Sequence, residues 1–62
     1  MDNHTAAVDR TIDRCFVGAH SYFKDEAKLI LQHVILQNKE PSFPFSMMAR
    51  TMKQVYNQEL IR

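Results

Sequence analysis

Sixty-two residues allow one domain at most, and a chain this short buries only about 60% of the surface its unfolded form exposes, so its core alone leaves it marginally stable. Net charge is +1, with 24% charged and 45% hydrophobic residues, which excludes an intrinsically disordered chain and makes no demand for nucleic acid or an acidic membrane as partner. The single cysteine, Cys15, excludes an internal disulfide, and Cys15 with His4, His20 and His33 lacks the paired spacings of a structural zinc site. No metal or other cofactor is expected.

Of the usual supplements for so small a core, a second copy of the chain is the one left. Three aspartates fall within the first thirteen residues, so the N-terminus does not read as a secretory signal. No apolar run approaches the ~20 residues of a membrane-spanning helix. A lone thiol suits a reducing compartment, and the chain is expected to be cytoplasmic, without membrane association. The triplet Asn3-His4-Thr5 fits a glycosylation sequon, which has no meaning without secretion.

Punctuation is sparse: one glycine, Gly18, and two prolines, Pro41 and Pro44. They divide the chain into three stretches of helical length, predicting one all-α domain over 1–62 with helices at about 4–17, 22–38 and 47–60. In the first, Thr5, Val8, Ile12, Cys15 and Phe16 form one stripe of a 3.6-residue period, while Asp9, Arg10, Asp13 and Arg14 point away from it. Asp2 or Asn3 is positioned to cap its start and Gly18 to close it in the left-handed conformation.

The second stretch has Asp25 and Glu26 near its start, where the helix dipole favours negative charge. At about 100° per residue, Phe23, Ala27, Ile30, Leu31, Val34 and Ile35 make one broad apolar face. Leu29 and Leu36, seven apart, fall on the opposite side. This helix therefore has two dry faces. Burying two leucines is worth roughly 1.5 to 3 kcal/mol each, a large share of what so small a fold holds.

Two neighbouring helices cover one side of a third, not both. The expected cover for Leu29 and Leu36 is a second copy, with central helices meeting about a twofold axis and the seam widened by Tyr22, His33 or the methionine-rich start of the third helix. Two other readings stand beside it: the loop carrying Phe43 and Phe45 folds back over the leucines, or the leucines lie bare, as scattered surface leucines do.

Between helices two and three, the prolines hold Lys39–Phe45 extended, with Phe43 and Phe45 as plugs into the core. Ser46 is the expected cap of the third helix, whose inward stripe reads Met48, Met52, Val55 and Tyr56. Met47 lies off that stripe and is the methionine expected to be exposed; with Phe43 and Phe45 it forms a candidate contact corner. Outward, Arg50, Lys53, Gln54 and Asn57 are residue types that reach phosphates and base edges. Against a helix-turn-helix stands the link, about seven residues with two prolines where that motif uses three or four.

No nucleophile–base arrangement, phosphate loop or dinucleotide fingerprint occurs, and the chain is too small to enclose a pocket of several hundred cubic ångströms, so it is not expected to be an enzyme. Asp9 and Asp13, one turn apart, read as a solvated charged face rather than a carboxylate pair, and Cys15 as a buried small hydrophobe. His20 reads as a turn residue. The function expected is that of a small intracellular regulator or adaptor binding another protein, as a homodimer. Leu29, Leu36, His33, Met47, Phe43 and Phe45 form its candidate interface. The alternative is a dimeric nucleic-acid-binding regulator using Arg50, Lys53, Gln54 and Asn57.

Overall fold

Three helices in chain order make up the domain: α1 (Asn3–Cys15), α2 (Ser21–Gln37) and α3 (Phe45–Leu60). The computed structural model describes residues 3–39, 41–42 and 44–61, and no strand occurs among them. The thinnest dimension is 15 Å. That is two helix layers, because axes about 8–10 Å apart add one Cα radius of about 2.3 Å on each side.

α1 lies against both other helices and packs more extensively on α3 than α2 packs on either. Its buried residues are Ala7, Val8, Thr11 and Ile12. The expected stripe is thus rotated: Thr5 is exposed, and Ala7 and Thr11 take its place. The reason is that α1 has two neighbours, so its buried arc is wide. A threonine enters that arc because its Oγ1 donates to the Ala7 carbonyl at 2.7 Å and leaves no polar atom unpaired.

Chain turns fall where the punctuation puts them. Gly18 has φ +78°, the left-handed conformation expected of it, and the Ala19 N–H donates to the Phe16 carbonyl at 3.0 Å across the turn. His20 is more than a turn residue: it caps α2, its Nδ1 accepting from the Tyr22 N–H at 3.1 Å. Asn38 closes α2 at φ 53°, its N–H donating to the Val34 carbonyl at 2.8 Å.

α3 starts earlier than expected. Ser46 lies inside its first turn and does not cap it; Pro44 occupies the cap position without a side-chain hydrogen bond. Proline fits there because a helix's first residues need no N–H donor, and the Phe45 N–H reaches the Ser42 carbonyl at 3.1 Å. Of the proposed capping pair for α1, Asn3 is already helical and Asp2 lies outside the described residues.

The core is Ala7, Val8 and Ile12 of α1, Ala27 and Leu31 of α2, and Met52 and Tyr56 of α3, with Cys15, Phe16, Ile30, Ile35 and Met48 packed around it. Met48 and Met52 are core filler, as their stripe indicates, and Met52 is fully buried. Tyr56 carries its hydroxyl inward and has a partner for it: His4 Nδ1 at 2.7 Å. Phe23 departs from expectation, standing about half exposed with its ring edge-on to Phe16, centroids 5.2 Å apart.

Candidate functional site

The charged residues of α1 are exposed, as expected, and divide their ion pairs between its two neighbours. Toward α2, Asp9 pairs with Lys28 at 2.8 Å and Asp13 with Lys24 at 3.6 Å. Toward α3, Arg10 and Arg14 converge on Glu59, at 2.8 and 2.5 Å. Glu59 is 1% exposed, a buried carboxylate that periodicity alone did not reveal. Its signal would have been the two arginines one turn apart on α1, whose heads need an acid wherever α3 meets them. These groups lock the helices to one another. Asp9 raises the Lys28 pKa by hydrogen bond and by charge, while burial pushes the Cys15 thiol up against the opposing effect of Arg14.

Among the described residues, the outer side of α2 carries large apolar side chains without cover. Leu29 is 65% exposed and Leu36 77% exposed, so the chain does not shelter them. Phe45 does not plug the core beneath a connector; it opens α3 and is itself exposed, while Phe43 lies outside the described residues. His33 is exposed beside the leucines, and Tyr22, 71% exposed, continues the same side toward the start of α2. Val17 and Ile61 are also exposed, but singly, next to helix ends, which is ordinary for a protein surface.

Two open hollows flank this ridge and share Ile30. One, of about 500 Å³, is lined by Leu29, Ile30, His33 and Val34 with Pro41 and Ser42 of the connector. The other, of about 660 Å³, lies between Tyr22, Phe23, Ala27 and Ile30 of α2 and Phe45 and Met48 of α3. Both are surface grooves, and no side-chain hydrogen bond among the described residues joins the polar groups that line them. Met47, 65% exposed on α3, lines neither.

On the other candidate face, Arg50, Gln54 and Asn57 are exposed on α3. Lys53 is half-buried, its Nζ donating to Asn38 Oδ1 at 3.0 Å, so it ties α3 to the end of α2. Lys39, Arg50 and Lys53 line a smaller hollow of about 200 Å³ floored by Val34 and Ala49. No group of acids, histidines and cysteine able to hold a metal occurs among the described residues, and no helix among them is long and apolar enough to cross a membrane. Comparison with protein-family models, with curated proteins and with solved structures finds no match to this chain.

Proposed function

We propose that this chain is a small regulatory or adaptor protein that acts by binding protein, that it self-associates through the outer side of α2, and that it works in the reducing environment of the cytoplasm. The observation that carries this reading is the run of exposed large apolar residues, Tyr22, Leu29 and Leu36, along one side of the helix whose other side forms the core. Large apolar side chains aligned and exposed along one helix side suit a contact site, and on a 62-residue chain their burial adds stability that the core lacks. Phe45 and Met47 are exposed at the start of α3, and the groove between α2 and α3 shares Tyr22 with the first area, so a second contact there would adjoin the self-association surface.

Light scattering on the purified chain and on Leu36→Asp tests it. The expected result is a dimer that becomes monomeric on substitution. A monomer in both cases removes the self-association.

A second reading, binding of nucleic acid through Arg50, Lys53, Gln54 and Asn57, rests on the three cations around the smaller hollow. It requires affinity that falls log-linearly as salt rises, and absence of binding at low salt eliminates it.

A further inference from the structure

Resting on the self-association reading, we infer that the dimer is antiparallel, with the twofold axis at Leu29 and Glu26 of each chain set against His33 of the other. The argument begins from spacing. Tyr22, Glu26, Leu29, His33 and Leu36 are separated by four, three, four and three residues, the interval that keeps a helix seam turned toward a partner helix. At about 100° per residue they occupy a band about 80° wide, centred opposite Leu31, which is fully buried. All five are exposed. The band is therefore a helix seam whose five residues are all exposed, bordered by the connector and the start of α3.

Its polar members decide the orientation. Glu26 and His33 make no hydrogen bond or ion pair with their own chain among the described residues, whereas Asp9, Asp13 and Glu59 all do. In a parallel pair, each seam residue meets its own copy, so Glu26 faces Glu26, a like-charge contact. In an antiparallel pair about Leu29, Tyr22 meets Leu36, Leu29 meets Leu29, and Glu26 comes within one residue's rise, about 1.5 Å, of level with His33. An imidazole N–H then donates to the carboxylate, and the twofold makes the contact twice. Leu29 is also the middle residue of α2 (Ser21–Gln37), so among antiparallel registers this is the one that overlaps the two helices along their whole length. On the flanks, Asp25 comes opposite Gln32 and Ile30 opposite Ile30, with no like charges set together.

Cross-linking with a short bismaleimide, on chains carrying Cys15→Ser and one new cysteine, tests the register. The antiparallel dimer requires that Leu29→Cys cross-link to itself. Tyr22→Cys and Leu36→Cys must each fail alone, their copies lying about 21 Å apart along the axis, and must join when mixed. Charge exchange provides a second reading that leaves the apolar residues in place. Glu26→Lys and His33→Glu should each weaken dimerisation about 3- to 10-fold, and together restore it, because the new lysine and glutamate again face each other. Self-linking of Tyr22→Cys and of Leu36→Cys, or failure of the double exchange to restore the dimer, overturns the orientation while self-association stands. A dimer by light scattering in which Leu29→Cys does not link uses another face and also overturns it. A wild-type monomer, leaving this seam to a different protein, defeats both the orientation and the reading beneath it.

Discussion

Arg10 holds Glu59 at two points: its Nε donates to Oε1 at 2.8 Å and its Nη2 to the Glu59 backbone carbonyl at 3.0 Å. Because Arg14 takes the other carboxylate oxygen, one buried acid ties the middle of α1 to the last turn of α3. The arginine side chains are 45% and 53% exposed, so on loss of their acid they hydrate rather than remain buried charges. Glu59→Ala is therefore expected to cost about 2 kcal/mol in urea unfolding, from the lost charged hydrogen bonds and the void. Glu59→Met fills the void and should cost less. Equal stability of Glu59→Ala and wild type would contradict the clamp.

Tyr56→Phe removes the hydroxyl that meets His4 Nδ1 and nothing else of the ring. A loss of about 1 kcal/mol is expected, since the bond is partly buried. Urea midpoints measure it, and a gain in stability would show the hydroxyl to be unsatisfied in the native state.

At Gly18, an added Cβ would meet no atom within 4 Å, so any penalty there is conformational. Gly18→Ala forces a side chain into φ +78° and is expected to lose about 1 to 2 kcal/mol, whereas Gly18→Asn loses less because asparagine tolerates the left-handed region. For a domain of this size the alanine variant should melt roughly 4–8 °C lower for each kcal/mol. Equal melting of the two variants would mean that the turn rearranges.

The Cys15 thiol is held above its ordinary value chiefly by burial, with the Arg14 charge pulling the other way. Folding thus favours the protonated form, and its contribution to stability is intact below the unfolded-chain value near 9.0 and lost as pH rises through the folded value. Two results are expected: slower reaction with an aromatic disulfide reagent at pH 8 than in urea, and a smaller decline of stability above pH 9 in Cys15→Ala than in wild type. Native reaction as fast as unfolded would place the thiol in solvent.

Leu36→Asp should change association and not folding. With the side chain 77% exposed, the substitution removes no core contact, so helicity by circular dichroism at concentrations where wild type is monomeric should match wild type. Loss of helicity there would mean that Leu36 supports its own chain.

The helices were legible because Gly18 and the prolines separate three stretches whose apolar residues recur at helical intervals, and Gly18 adopts the left-handed closure expected of it. The placement of Leu29 and Leu36 was legible for the same reason: they fall opposite Leu31 whatever surrounds them. What one helix's periodicity does not carry is how far a second neighbour extends its buried arc. That hid Ala7 and Thr11 from the α1 stripe, and it gave no sign that Glu59 is buried under two arginines of another helix. Ser46 misled because cap preference is a local signal, and the turn through Ser42 and Pro44 had already started the helix.

The contacts that fasten α1 to α3 join residues 45 to 52 positions apart, His4 to Tyr56 and Arg10 and Arg14 to Glu59. An α1–α2 segment by itself lacks the acid that receives both guanidinium groups and leaves Val8, Ile12 and Leu31 without Met52 and Tyr56. The domain therefore closes only when residue 59 is present, and a polypeptide truncated before that point would be left to chaperones and proteases.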